Sequence, residues 1–172
     1  MLGQMIRTAR EKKGLSQNEL DKLLGSSHGR VSSWERGAAI MKLDRTTKIA
    51  DVLSISQAPL VAAALQMMLD QAELDYKVAV KPGKAKALNS GAELKKMRLK
   101  EGMGLCELAR QLEVSAPLVV KFEAGTQQIK PETAWWYANA LGVDHKPAVQ
   151  VALQGLVQRT CGTNFKVSLK EK

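Results

Sequence analysis

Polar side chains that can form hydrogen bonds with another molecule are concentrated near the N-terminus of the 172-residue chain. An amide, an imidazole and several hydroxyl groups supply donors and acceptors, while arginine and lysine supply fixed positive charge. These groups suit binding better than covalent catalysis, because no carboxylate or nucleophile accompanies the histidine. The candidate residues are Gln17, His28, Gly29, Arg30, Ser32, Ser33, Arg36 and Lys42.

The elements that must position these residues begin at residue 16. Ser16 can cap a helix while Glu19, three residues later, returns a hydrogen bond to the cap. Leu20, Leu23 and Leu24 then fall on one face, which predicts a short amphipathic helix.

A turn and a second helix follow over residues 24–37. Gly25 tolerates the positive φ that such a turn needs, and Ser27 is placed to cap the second helix. The buried side of this helix would carry Val31 and Trp34. The polar candidates of residues 28–36 then face outward, so the pattern predicts two helices in a helix-turn-helix.

Several positions of this stretch together carry a resemblance. They are Leu15-Ser16-Gln17, Glu19-Leu20, Leu24-Gly25, Ser27, Val31-Ser32 and Glu35-Arg36-Gly37. The stretch resembles the phage-repressor family, the Cro- and lambda-repressor-like or XRE proteins. The resemblance implies a five-helix domain that binds double-stranded DNA as a two-fold dimer, with Arg36 and Lys42 facing phosphates. It also implies a structural ion pair between Arg10 and Glu35.

The whole unit is written twice in the chain. Sliding the sequence against itself by 88 residues aligns residues 3–70 with residues 91–158 without a gap. The pair Arg10 and Glu35 recurs as Arg98 and Glu123. A period of this length indicates two complete small domains rather than a solenoid of short repeats.

Each copy is followed by a run that alternates apolar with polar or small residues, residues 76–81 and 165–170, which predicts two short strands. A lone strand cannot satisfy its backbone groups, so we expect the two strands to pair, within the chain or across a dimer. The fold class expected is mainly all-α, with two tandem five-helix lambda-repressor-like domains that each precede a strand. The expected segments are a DNA-binding domain at 1–75, a basic linker at 76–90, a degenerate helix-turn-helix domain at 91–160 and a tail at 161–172.

The second copy has lost the polar surface of the first. In the second copy, the helix face that corresponds to the outward side of residues 28–36 is apolar. An apolar face cannot form hydrogen bonds with base edges. Three consecutive aromatic residues at 135–137 cannot all enter one core, so at least one, with Trp136 the first candidate, should be exposed or used at an interface. The predicted association residues are Leu118, Val120, Trp135 and Trp136.

Composition limits the remaining function classes. A formal net charge of +9 with 45% hydrophobic residues suits a globular protein with an acidic partner, of which nucleic acid is the usual one. Cys106 and Cys161 stand far apart, and neither His28 nor His145 has a catalytic partner nearby, so we expect no metal, no cofactor and no enzyme activity. The longest apolar run is too short to span a bilayer, which predicts no membrane contact and a cytoplasmic, nucleoid-associated protein.

The sequence favours a transcriptional repressor that binds an inverted-repeat operator as a homodimer. One alternative is an antitoxin, or another protein-interaction module, whose residues 91–160 bind a protein partner while the first copy autoregulates. A second alternative is a single-chain pseudo-dimer in which both copies touch one duplex. These hypotheses differ in the number of protein chains bound to each DNA site and in the symmetry of that site.

Overall fold

The computed structural model describes residues 2–85 and 87–171, and this part of the chain is mainly helical. Five helices and a strand come first: α1 (Leu2–Lys12), α2 (Gln17–Leu24), α3 (Arg30–Glu35), α4 (Asp44–Leu53), α5 (Gln57–Gln71) and β1 (Tyr76–Pro82). The same order follows again: α6 (Ser90–Lys100), α7 (Leu105–Gln111), α8 (Ala116–Glu123), α9 (Pro131–Leu141), α10 (His145–Cys161) and β2 (Phe165–Glu171). The predicted fold class is confirmed.

The described chain divides into two compact units, the first ending at Met68 and the second beginning at Leu69. The division falls within α5, so the last residues of that helix and both strands belong to the second unit. Helix α5 begins at Gln57, two residues before Pro59. Pro59 still lies in the first turn, where its missing N–H removes no intrahelical hydrogen bond.

The core of the first unit is built from one side of each of its helices. Burial of each large apolar side chain stabilises the fold by about 1.5–3 kcal/mol. The prediction that Leu23 shares the buried face of α2 is wrong, because this side chain is 53% exposed and the face is centred on Leu24, between Leu20 and Asp21. The buried cluster consists of Leu2, Ile6, Leu20, Leu24, Val31, Trp34, Met41, Ile49, Ala50, Leu53 and Leu60.

The first helix of each five-helix set lies very close to the end of the third. At Gly3 of α1, an added Cβ would collide with the backbone carbonyl oxygens of Trp34 and Glu35. At Gly91 of α6, it would collide in the same way with the carbonyl oxygen of Phe122. Only glycine fits at either position, because the neighbouring atoms belong to backbone and cannot move aside.

The second unit combines its helical core with the two-stranded sheet. Strands β1 and β2 are antiparallel, with Val78 opposite Leu169 and Val80 opposite Val167, so the predicted pairing is confirmed and occurs within the chain. The side chain of Gln154 on α10 binds the backbone of β2, donating to the carbonyl of Phe165 at 2.9 Å and accepting from the amide of Val167 at 2.8 Å. The helical core contains Leu94, Leu108, Ala109, Val119, Phe122, Ile129, Ala134, Tyr137, Ala138, Leu141, Ala148 and Ala152.

Candidate nucleic-acid interface

Helix α2 starts and ends with the signals expected from the sequence. The amide of Glu19 donates to the hydroxyl of Ser16 at 3.2 Å, and the amide of Ser16 donates to the carboxylate of Glu19 at 2.7 Å. This reciprocal pair is the predicted capping box. Gly25 closes the helix with a φ of 61°, as expected of a left-handed C-terminal residue.

The start of α3 is held by a residue that sequence analysis missed. Asp21 of α2 is only 2% exposed, and its carboxylate accepts from the amides of Gly29 and Val31, both at 2.9 Å, and from the hydroxyl of Ser26 at 2.9 Å. The prediction that Ser27 caps α3 is therefore wrong. Gly29 is the N-terminal flanking residue, with a φ of 79°, and Asp21 satisfies amides that the helix itself leaves unpaired.

A signal for this arrangement was present in the sequence. Asp21 follows Leu20 directly on the buried side of a two-turn helix, where a charged residue needs partners in order to be buried. The position 88 residues later is Ala109, which has no carboxylate. The helix that corresponds to α3 in the second unit is α8, and no side chain caps its N-terminus. The carboxylate that anchors α3 thus has no counterpart at this position of the second unit.

The end of α3 is tied to α1 by the predicted ion pair. The guanidinium of Arg10 donates to both carboxylate oxygens of Glu35, at 2.6 Å and 3.1 Å, and to the carbonyl of Leu15 at 2.7 Å. Burial alone would raise the pKa of Glu35, but the hydrogen bonds from Arg10 and then Gln17 outweigh burial and lower that pKa. The hydrogen bond to Glu35 raises the pKa of Arg10 in turn, so both groups are charged.

Gln17 lies at the first position of α2 and is half-buried. Its amide nitrogen donates to Glu35 at 2.7 Å, which fixes the side chain beside the end of α3. Gln17, one of the predicted site residues, is therefore also part of the hydrogen-bond network that joins α1, α2 and α3.

The other predicted site residues lie on or beside α3. His28, Arg30, Arg36 and Lys42 are exposed, whereas Gly29, Ser32 and Ser33 are half-buried. The hydroxyl of Ser33 donates to the carbonyl of Gly29 at 3.0 Å, and the Nε of Arg36 is 3.4 Å from the carbonyl of Ser32. The exposed members carry donors and positive charge on one short helix and the segments that flank it.

A cleft of about 270 Å³ borders this surface. It adds Arg45, which sequence analysis missed, to the predicted Arg30 and Lys42, and the spacing of Lys42 and Arg45 across the start of α4 was the available signal. The indole N–H of Trp34, which also lines the cleft, is buried and has no hydrogen-bond partner among the described residues. The lining residues are Gly25, Ser26, Ser27, Arg30, Trp34, Ile40, Lys42, Asp44 and Arg45.

The second unit keeps the frame of this arrangement but not its surface. The guanidinium of Arg98 donates to both oxygens of Glu123, at 2.6 Å and 2.8 Å. The hydroxyl of Tyr137 donates to the same carboxylate at 2.8 Å, so Tyr137 takes the place that Gln17 has in the first unit. Burial, followed by the adjacent Glu123, raises the pKa of Tyr137.

The predicted association residues lie on α8 and α9. Val120 is 48% exposed, and Leu118 is half-buried. Trp136 is 57% exposed, which confirms the expectation that one of the three consecutive aromatics faces solvent. Trp135 is half-buried between two rings, edge-on to Trp136 at 4.8 Å and stacked on His145 at 4.4 Å between ring centroids.

Comparison with known protein families finds a match within the first unit. A family model described as Helix-turn-helix matches residues 6–56, which is less than a third of the chain. This segment contains α2 and α3, and over this length the chain is similar to the Helix-turn-helix family. No curated protein and no solved structure matches the chain significantly. Among the helices formed by residues 2–85 and 87–171, none has the length and apolar character needed to span a bilayer.

Proposed function

We propose that the chain is a sequence-specific DNA-binding transcriptional regulator, and specifically a repressor of the phage-repressor type. The observation that carries the proposal is the group of exposed polar and basic residues on and beside α3. The start of this helix is anchored by the buried carboxylate of Asp21, within the segment that the helix-turn-helix model matches. The major groove of B-DNA, about 12 Å wide, accepts one α-helix, and its base edges present donors and acceptors to side chains. Such a protein would reside with the nucleoid.

Base edges would be read by residues at the start and middle of α3. His28 is exposed, Ser32 and Ser33 lie on the helix, and Gly29 would let a base edge or phosphate come close to the backbone. A well-placed bidentate contact contributes about 1–3 kcal/mol of discrimination between base pairs. Gln17 would reach the same groove while its amide nitrogen stays bound to Glu35, leaving its carbonyl oxygen to accept from a base.

Phosphates would be bound by the basic residues around that row. Arg36 follows α3 directly, while Lys42 lines the basic cleft together with Arg30 and Arg45. Contacts to phosphate position the protein without carrying sequence information, so these residues supply affinity. Each phosphate neutralised contributes about 0.9 to the slope of log K against log salt.

The second five-helix set arose, we infer, by duplication of the first. The repeated order of elements, the close approach at Gly3 and Gly91, and the two arginine–glutamate pairs support this inference. Within the division proposed from the sequence, residues 1–75 bind DNA, residues 76–90 and 161–172 carry the paired strands, and residues 91–160 associate with a second protein molecule. The exposed apolar surface of Leu118 and Val120 on α8, with Trp135 and Trp136 on α9, would form that contact, most simply in a homodimer.

The pseudo-dimer remains a second candidate because β1 pairs with β2 inside one chain. Strand exchange between two chains is therefore not needed to satisfy either strand. If one chain binds one duplex alone, the DNA site should be asymmetric, because the two copies present different side chains to DNA.

One experiment tests the proposal and separates the two candidates. A DNA site is first selected from a random duplex library with the full chain, and the mass of the complex is then measured by sedimentation at several protein concentrations. Two chains on an inverted repeat with half-sites about one turn, 34–36 Å, apart would support the repressor dimer. One chain on an asymmetric site would favour the pseudo-dimer, and failure to enrich any sequence would refute sequence-specific binding.

A further inference from the structure

A concave surface of the second unit is chemically unlike the rest of this basic protein. Its volume is about 730 Å³, within the usual range for small-molecule sites. It is formed by the connection from α5 to β1, by α9, by the start of α10 and by the end of β2. We call it the aromatic cleft, and its lining residues are Ala72, Glu73, Leu74, Asp75, Tyr76, Glu132, Trp135, Trp136, Asp144, His145 and Glu171.

Aromatic rings form one side of the aromatic cleft and are held in place. The Trp135 ring is fixed by stacking on His145, with 10° between the ring planes, and Trp136 meets it edge-on at 89°. Trp136 is nevertheless 57% exposed, so its ring is available to a ligand. Large indole surfaces that are ordered yet exposed bind apolar groups and, through the negative face of the ring, cations.

The charge of the aromatic cleft is opposite to that of the chain. Five carboxylates line it, and no lysine or arginine is among the described residues that do so, although the net charge of the protein is +9. Two of these carboxylates form ion pairs with lysines outside the lining, Glu132 with Lys130 at 3.5 Å and Glu171 with Lys146 at 3.8 Å. Burial, followed by the charges of Asp144 and Glu171, raises the pKa of Tyr76, as expected where the local potential is negative.

The carboxylates are not arranged to chelate a metal ion. Within the described ranges, no group of three or more His, Cys, Asp or Glu side chains could hold one. The pairing of the exposed indole of Trp136 with separated carboxylates instead suits a diffuse positive charge on an apolar body, such as a quaternary or aromatic ammonium group.

We propose that the aromatic cleft is a binding site for a small organic cation. The cationic head would lie against the rings of Trp135 and Trp136, where the surrounding carboxylates favour positive charge, and the apolar part would extend along Leu74 and Tyr76. This site belongs to the second unit alone, so its occupancy does not depend on whether the first unit binds DNA. It shares Trp135 and Trp136 with the association surface proposed above, so a bound cation and a second protein molecule would compete for these two rings.

The test is a nuclear magnetic resonance titration of the full chain that follows the indole N–H signals of its three tryptophans. The probe is choline, and the control ligand is 3,3-dimethylbutan-1-ol, which has the same shape without the charge. Choline should shift the Trp135 and Trp136 signals saturably, with a dissociation constant on the order of 1 mM, and leave that of Trp34 in the first unit unmoved. Equal shifts with the neutral alcohol, or no saturable shift with choline, would overturn the proposal.

Matched variants assign the binding to this cleft. Trp136→Ala should weaken choline binding at least about fivefold, whereas Leu99→Ala, which removes a side chain of equal 57% exposure on α6, should leave it unchanged. Glu171→Gln should weaken binding about twofold to threefold relative to Glu101→Gln, an exposed carboxylate outside the cleft. Because all four side chains are exposed, the variants should fold, and equal loss in a variant and its control would count against the site.

Discussion

Glu35 and Glu123 are buried carboxylates with one difference in their hydrogen bonds. Each binds the arginine of the first helix in its set, but the third donor is the amide of Gln17 in one unit and the hydroxyl of Tyr137 in the other. The polar donor at the start of α2 lies beside the candidate DNA surface, while the tyrosine is fully buried. The glutamate of each arginine–glutamate pair thus accepts its third hydrogen bond from a residue beside the surface in the first unit and from a core residue in the second.

These carboxylates should make the free energy of unfolding fall as the pH becomes acid. Hydrogen bonds lower the pKa of both Glu35 and Glu123 despite burial, so the unfolded chain binds more protons than the folded chain as the pH falls. Their stabilisation is complete above the unfolded pKa of about 4.3 and is lost as the pH falls through the lower folded values. Urea denaturation at pH 6 and at pH 3 should show a smaller loss of stability in Glu123→Gln than in the wild type. The exposed control Glu101→Gln should keep the wild-type difference.

Single substitutions should distinguish the residues that recognise base edges from those that bind phosphates. His28→Ala and Ser33→Ala should each lower the preference for the selected site over random DNA, by about 1–3 kcal/mol where a bidentate contact is lost. Lys42→Ala should weaken both kinds of DNA alike and reduce the salt slope by about 0.9. Fluorescence anisotropy with both duplexes at several salt concentrations measures the two effects.

The control for this series is Lys12→Ala, which removes an exposed lysine at the end of α1. It should change neither the preference nor the slope. If His28→Ala and Ser33→Ala kept full preference while Lys12→Ala matched Lys42→Ala, α3 would not be the reading element.

At the scale of elements, α3 depends on α2 for its first turn. A six-residue helix has almost no stability of its own, so the hydrogen bonds that Asp21 accepts from its first amides decide where it begins. Asp21→Ala would remove the acceptor of the half-buried amide of Gly29 and of the buried amide of Val31, and it should destabilise the protein by about 1–3 kcal/mol. Thermal or urea unfolding measures the loss, and Asp51→Ala, an exposed aspartate on α4, is the matched control. Similar small losses in both variants would mean that solvent replaces the carboxylate at no cost.

The outer edge of β2 depends on α10 in a comparable way. The amide of Val167 donates to Gln154, so this amide faces the helix rather than β1. Gln154→Ala should therefore speed hydrogen exchange at Val167, with a stability loss of about 0.5–1.5 kcal/mol for each hydrogen bond removed. Gln150→Ala, one turn earlier on α10, should not affect the exchange at Val167. Protection that survives Gln154→Ala would show that the sheet holds β2 without the helix.

At the scale of the whole molecule, the proposed division gives the first unit the reading surface and the second the association surface. Val120→Asp should raise the dimer dissociation constant, because a charge in an interface must lose its water or keep the surfaces apart. Sedimentation without DNA measures the dimer dissociation constant. Choline binding is a separate test, because Val120→Asp should leave it intact. Leu99→Asp is the control for a charge placed at an exposed apolar site elsewhere on the second unit. A wild-type monomer, or equal effects of both variants, would remove α8 from the interface.

The sequence by itself determined the elements, because their signals are local. The capping box at Ser16, the glycine at the end of α2, the helical spacing of leucines and the alternation in both strands each depend on neighbours only a few residues away. The family resemblance implied the ion pair of Arg10 and Glu35, and the recurrence of these residues as Arg98 and Glu123 extended that prediction to the second unit. The polar residues of the candidate DNA surface were proposed from the same local pattern together with the family resemblance.

Only the tertiary structure decided which groups complete those elements. The burial of Asp21 beneath α3, the binding of Gln17 to Glu35 and the meeting of Tyr76 with Trp135 in one cleft all join residues from different elements. No local spacing encodes such contacts, since the partners of a buried side chain are set by the way in which separate elements pack. The exposure of Leu23 has the same cause: the buried side of a two-turn helix is set by its neighbours, and here it turns toward the amides that Asp21 must satisfy.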